Sequence, residues 1–133
     1  MSSAPTWKPA GYTSVSPYLM VNDAEALIAF LAEVLGAERL RAFPRPDGSV
    51  MHAEVRIDDT VVMMGEATGD WPVQPAHLHI YVPDVDAAFA RAVERGAEVV
   101  EAPNRKPGDG DRRGGVRGPS GHTWWFSTQV AED

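Results

Sequence analysis

The chain carries one pattern twice, about 60 residues apart, and this limits its fold more than any other feature. Val21-Asn22-Asp23 returns as Val82-Pro83-Asp84 after 61 residues. Gly36-Ala37-Glu38 returns as Gly96-Ala97-Glu98 after 60, and Val55-Arg56 as Val116-Arg117 after 61. Each copy reads βαβββ. In the first, Ser14–Val21 alternates as a strand, and Asp23 caps a helix over Ala24–Leu35, apolar at Leu27, Ile28, Leu31, Val34 and Leu35 and ended by Gly36. Glu38–Phe43, Val50–Ile57 and Thr60–Gly65 follow as strands, with an Asp47-Gly48 turn after the first of them. In the second copy His77–Val82 is a strand and Asp84 caps a helix over Val85–Arg95, ended by Gly96. Glu98–Glu101 is a short strand, Pro103–Gly115 reads as a long irregular loop, and strands resume at Gly115–Arg117 and Thr123–Gln129. A unit of about 60 residues buries its own sheet poorly. Two such units are therefore expected to pair with pseudo-twofold symmetry, as an α+β fold with a cupped mixed sheet and helices outside.

The expected organisation is a flexible leader over 1–11, one domain over 12–129, and an acidic tail over 130–133. The modules run over about 12–66 and 76–129, joined by the polar, proline-containing linker 67–75. Composition then narrows the partners. Lys+Arg number 12 against 19 Asp+Glu, a net charge of −7, which repels a nucleic-acid duplex or an anionic membrane surface. With no cysteine there is no disulfide, thiolate metal site or cysteine nucleophile. No apolar run reaches the ~20 residues of a membrane span, and Met1–Gly11 lacks the pattern of a signal peptide. The expected location is the cytoplasm.

Alternation along the strands separates two faces. Leu78, Ile80 and Val82 belong under a helix, leaving His77, His79 and Tyr81 opposite. The same rule puts Ser16 and Tyr18, His52 and Glu54, Met63, and Thr123 and Trp125 on that second face, with Trp124 and Phe126 under a helix. Aromatics, imidazoles and one carboxylate on a single sheet surface suit a small-molecule cavity.

Val15–Asp23 (VSPYLMVND), His52–Met64 (HAEVRIDDTVVMM), His77–Asp86 (HLHIYVPDVD) and Gly110–Trp124 (GDRRGGVRGPSGHTW) together resemble the vicinal oxygen chelate superfamily. That superfamily includes glyoxalase I, extradiol dioxygenases and bleomycin-resistance proteins. The Gly-Asp-Arg…Gly-Val…Gly-His-Thr-Trp run resembles its PhnB-like branch. The turn Gly118-Pro119-Ser120-Gly121 departs from that branch's usual Asp-Pro-Phe-Gly, and the aromatic expected before Gly110 is missing. The resemblance implies a homodimer. It also implies a metal held by one ligand from each of four strands, which fall here on Ser16, Met63, His77 and Trp125. Of these only His77 is a competent ligand for a hard divalent cation, so ordinary glyoxalase I activity is not expected.

Two functional classes stay open. In the first, the cup binds a small aromatic or amphipathic molecule without chemistry. Trp125, Tyr18, Met63 and Tyr81 form the wall, and His77 and His79 supply hydrogen bonds. In the second the chain is a lyase-, isomerase- or dioxygenase-type enzyme with His77 as the catalytic base. No cofactor is expected. A divalent metal stays open, and its donors in a rearranged site are His52, Glu54, His77 and His79. The bland alternatives are a solvated strand face for His52 and Glu54, a local turn role for His122, and a soluble connector for the basic stretch 103–117.

Overall fold

The computed structural model describes residues 7–132; positions 1–6 of the expected leader and Asp133 of the expected tail lie outside the described residues. Eight strands and two helices follow in the order β1 (Tyr18–Val21), α1 (Ala24–Leu35), β2 (Glu38–Pro44), β3 (Val50–Ile57), β4 (Thr60–Glu66), β5 (His77–Tyr81), α2 (Val85–Glu94), β6 (Glu98–Asn104), β7 (Asp111–Arg117) and β8 (Thr123–Gln129). A single 3-10 turn, Pro119–Gly121, precedes β8. The βαβββ pattern is present twice. Each copy forms its own four-stranded mixed sheet, ordered β1-β4-β3-β2 and β5-β8-β7-β6. The first strand of each copy pairs parallel with the last, and the other pairings are antiparallel.

The helices begin where the sequence supplies caps. Asp23 accepts from the Ala26 amide and Asp84 from the Ala87 amide, each satisfying one of the free donors of a first turn. Gly36 closes α1 in the left-handed region at φ 67°, its amide donating to Ala32, while Ala37 donates to Leu31. The apolar stripe of α1 (Leu27, Ile28, Leu31, Val34) packs on the strand residues Leu19, Val21, Val55, Val62 and Met64. The same cluster continues through Val85, Ala88, Ala92, Val116, Trp124 and Phe126, so one core serves both modules.

Specific hydrogen bonds fasten the modules together. His122 is fully buried; its Nδ1 accepts from the Ala76 amide and its Nε2 donates to the Met20 carbonyl, which fixes the neutral tautomer. Ser120 accepts from the Asn22 amide, and Arg91 on α2 donates twice to the Val34 carbonyl at the end of α1.

Two expectations need correction. The first strand is Tyr18–Val21 and not Ser14–Val21. Ser14–Pro17 leaves the sheet edge, with only the Pro17 carbonyl still accepting from Met63. The stretch 103–115 is largely regular, since β6 runs to Asn104 and β7 begins at Asp111. Two of its glycines, Gly114 and Gly115, are packing requirements. A Cβ on Gly114 would lie 3.0 Å from Pro103, and one on Gly115 would lie 2.5 Å from the Trp125 ring. Its arginines alternate across β7. Arg112 pairs with Asp86 on α2, and Arg113 reaches Ser127, Asp109 and Asp111 on the open side. Pro103 is tolerated because β6 is an edge strand.

Candidate functional site

The helices cover one face of each sheet and leave the other face open. On the first sheet the open face carries Tyr18 from β1, His52 and Glu54 from β3, and Met63 from β4. Glu54 and Met63 are cross-strand partners. On the second it carries His77, His79 and Tyr81 from β5 and Thr123, Trp125 and Ser127 from β8, paired in parallel register. The residues expected on one continuous surface are thus divided between two sheets. His52 and Glu54 lie on one and His77 and His79 on the other. Among the described residues no group of three or more His, Asp or Glu side chains is placed to hold a metal ion.

On the second sheet Trp125 lies flat over Gly115, its cross-strand neighbour, because a side chain there would occupy the ring's space. The His77 imidazole stacks with it at 6.3 Å between centroids and 13° between planes. The Trp125 indole N–H donates to His77 Nδ1 at 3.1 Å. His79 meets Tyr81 edge-on at 4.9 Å and shares a 2.9 Å hydrogen bond with the buried Ser127 hydroxyl. Arg113 donates to the same hydroxyl and to Asp109 and Asp111, and Asp111 accepts from the Tyr81 hydroxyl at 2.7 Å. That bond to Asp111 leads the causes that raise the Tyr81 pKa, with burial behind it. Above Trp125 lies a cavity of about 250 Å³, lined by Glu101, Asn104, Lys106, Asp109 and Arg113.

The first sheet is different. Glu54, 1% exposed, is not the solvated carboxylate that its place on a strand face suggests. It accepts from the Tyr12 hydroxyl at 2.5 Å, from Arg41 Nε and a terminal nitrogen at 3.2 Å each, and from His52 Nε2 at 2.8 Å. Burial pushes the Glu54 carboxyl up, but the hydrogen bonds from Arg41, Tyr12 and His52 outweigh it and bring it down to about 2. Since Glu54 is ionised, His52 Nε2 carries the proton; its Nδ1 lies 3.2 Å from the Tyr18 hydroxyl, which also reaches the Met51 carbonyl at 3.5 Å. Tyr12 belongs to a strap over residues 11–16 that crosses this face. Arg56 donates to the Gly11 carbonyl, and the Val61 amide donates to the Thr13 hydroxyl. Val61, on the open side of β4, is fully buried in consequence. Sequence reasoning missed Tyr12, which lies outside the expected strands, and Arg41, which lies on the expected strand Glu38–Phe43; a cation on β2 beside the strand-face carboxylate of Glu54 was the available signal.

Residues 12–126 match the family model described as the Glyoxalase/Bleomycin resistance protein/Dioxygenase superfamily. The chain belongs to that superfamily. An uncharacterised protein of Mycobacterium bovis is 37% identical over 130 residues, covering 90% of this chain and 85% of the relative. Among solved structures, TioX from Micromonospora sp. ML1 is 25% identical with a TM-score of 0.70, covering 87% of this chain and 99% of TioX. TnmS3 from Streptomyces sp. CB03234, described as an antibiotic binding protein, is 24% identical with a TM-score of 0.67, covering 89% of this chain and 99% of TnmS3.

Metal-dependent members of this superfamily use a cation, and the side chains at the implied positions do not fit one. Met63 and Trp125 offer no donor to a hard cation. Ser16 Oγ is engaged with the Thr13 hydroxyl at 3.2 Å. His77 accepts through Nδ1 from Trp125, so its other ring nitrogen carries the proton and presents no lone pair. The basic stretch offers no free cation cluster either: Lys106 pairs with Glu101, Arg112 with Asp86, Arg113 with Asp109 and Asp111, and Arg117 with Glu98.

Proposed function

We propose that this superfamily member, from the PhnB-like branch and cytoplasmic, binds a small planar organic molecule on the open face of its second sheet, without a metal and without chemistry. The observation that carries this reading is the stacked His77–Trp125 pair over Gly115. It supplies a flat apolar floor where the superfamily's enzymes place ligands to a cation. The rim above it, with Arg113, Lys106, Asp109 and Glu101, gives polar groups of both signs to orient a ligand. His77 Nε2–H, His79 and the Tyr81 hydroxyl complete the hydrogen-bonding set. The fold is compatible with such a role, as TnmS3 shares it and is described as antibiotic binding. Tyr18 and Met63 would join the wall in a homodimer that sets the first sheet of one protomer against the second sheet of its partner.

The test is a panel of planar aromatic compounds titrated against the full chain, read by quenching of tryptophan fluorescence. The expected result is binding that Trp125→Ala reduces by about 5- to 10-fold, the loss of one stacking contact of about 1–1.5 kcal/mol. Equal affinity of wild type and Trp125→Ala across every compound that binds overturns the reading. Metal content of untagged protein by mass spectrometry checks its other half, with substoichiometric metal expected.

A further inference from the structure

The strap that seals the first sheet ends in a side chain that sits as a ligand would. The Tyr12 hydroxyl donates to Glu54, a carboxylate held almost wholly out of water and ionised. The Arg41 guanidinium lies over the Tyr12 ring, 5.0 Å from its centroid. Arg41 and His52 hold both carboxylate oxygens of Glu54, so the acceptor is fixed before any phenol arrives. A cation above the ring holds any aromatic face, and an oriented anion at the hydroxyl is the contact that distinguishes a phenol from other aromatics. From this arrangement we infer that the open face of the first sheet is a recognition site for a phenolic hydroxyl, which the chain fills with its own Tyr12 and which a hydroxyaromatic small molecule takes by displacing the strap.

The arrangement has the features that such competition needs. The strap's hold on the sheet apart from Tyr12 is light. Arg56 to the Gly11 carbonyl at 3.2 Å and the Val61 amide to Thr13 at 3.4 Å are its other side-chain bonds to the strands among the described residues. The remaining hydrogen bonds join the strap to itself or to the residues just before it (Thr13 with Ser16, Lys8 with Ser14, the Tyr12 amide with the Pro9 carbonyl) and travel with it. Its end is anchored at Pro17, where the ladder to Met63 begins, so displacement swings one short segment and leaves β1 paired. The site differs from the floor proposed above: it lies on the sheet that carries Tyr18 and Met63 and involves neither His77 nor Trp125, so variants at Glu54 and at Trp125 test the two separately.

While Tyr12 is docked, only the fraction of molecules with the strap displaced can bind, so the apparent affinity is reduced by that fraction. The experiment is calorimetric titration of the full chain and its Tyr12→Ala variant with 4-methylphenol, which copies the tyrosine side chain, and with 4-methylanisole, which lacks the donor hydrogen. The expected result is that Tyr12→Ala binds 4-methylphenol at least ~10-fold more tightly than wild type does. It should also prefer 4-methylphenol to the anisole by at least ~10-fold, the worth of a hydrogen bond to a charged acceptor. Adding Glu54→Gln should bring the two compounds together, while Trp125→Ala should change nothing. Equal binding of the two compounds by folded Tyr12→Ala, or no binding of either, overturns the proposal. So does loss of phenol binding in Trp125→Ala, which would move the ligand to the second sheet. Should Tyr12→Ala not fold, wild-type hydrogen exchange decides: 4-methylphenol should speed exchange of the amides at positions 11–16 more than the anisole does, and equal exchange with both overturns the proposal.

Discussion

The two modules are copies with the same strand order, yet their open faces are finished in opposite ways. Glu54 and Gly115 stand 61 residues apart at matching places on β3 and β7, and their cross-strand partners are Met63 and Trp125. In the first module the position carries a charge, buried beneath a strap of the chain's own residues and neutralised by Arg41. In the second it carries no side chain at all, which lets an indole lie flat with nothing above it but a cavity of about 250 Å³. Each module also has a tyrosine bonded to a carboxylate, Tyr12 to Glu54 and Tyr81 to Asp111. Tyr12 closes its face, whereas Tyr81 is 64% exposed and leaves its face accessible. The lesson is that duplication preserves the helix side, where both copies share one core, and leaves the open side free to diverge.

The shared side should therefore tolerate least. Trp124 is fully buried at the junction of the modules, beside Phe30 and Gly118. Trp124→Ala should cost about 3–5 kcal/mol, the usual range for removing a large aromatic from a core. Chemical denaturation should show one transition at lower midpoint. Two separated transitions would mean that the modules do not share a core, and the comparison would need rebuilding.

Acid should act on the first module through Glu54. The folded Glu54 carboxyl titrates at about 2, below its ordinary value of 4.5. A depressed carboxylate adds stability that is complete above about pH 4.5 and lost as the pH falls through the folded value. A gap of that size corresponds to about 3 kcal/mol. Glu54→Gln should abolish this part of the acid dependence, so the stability gap between wild type and variant should narrow steadily from pH 5 to pH 2. A constant gap over that range would show that Glu54 is not held as an ion by Arg41, Tyr12 and His52.

The second module's floor can be tested at its thinnest point. A Cβ at Gly115 would stand 2.5 Å from two carbons of the Trp125 ring, so Gly115→Ala must tilt the indole. Overpacking of this kind costs about 1–3 kcal/mol; because Trp125 is only partly buried, the lower end is expected. The indole N–H bond to His77 should break, and ligand quenching should fall with it. An unchanged Trp125 emission spectrum in a folded Gly115→Ala protein would refute the close packing.

How much of this was legible in the sequence follows from where the information lies. The span of α1 was readable because its signals are local: Asp23 before it, Gly36 after it, and apolar residues at helical spacing between. Alternation likewise told which side of each strand His77, His79, Tyr81 and Trp125 occupy. Only the end of the strand β7, Gly115–Arg117, was readable; its start was not, because Asp-Arg-Arg-Gly at 111–114 is explained by partners elsewhere in the chain. Asp86 accounts for Arg112, Ser127 for Arg113, and the Trp125 ring for Gly115. The burial of Glu54 was hidden for the same reason, since the group that covers it, Tyr12, lies 42 residues upstream in a stretch without periodicity. The division of the expected surface into two sheets depends on β1 and β5 not pairing, which no local pattern encodes.

The smallest effect is the most direct comparison of the two modules. Tyr12→Phe and Tyr81→Phe each remove one hydroxyl that donates to a carboxylate. Behind Tyr12 the acceptor is fully enclosed, so the lost donor is not replaced by water while the strap remains down. A hydrogen bond to a charged group is worth about 1.5–3 kcal/mol. Arg41 and His52 still hold Glu54, so about 1 kcal/mol is expected. Behind Tyr81 the ring stands in solvent, water reaches the vacated position, and Arg113 still donates to Asp111. There the cost should be clearly smaller than at Tyr12. Thermal unfolding of both variants measures the difference. A Tyr81→Phe cost equal to that of Tyr12→Phe would mean that the second face is as closed as the first, and the asymmetry on which a ligand site over Trp125 depends would be gone.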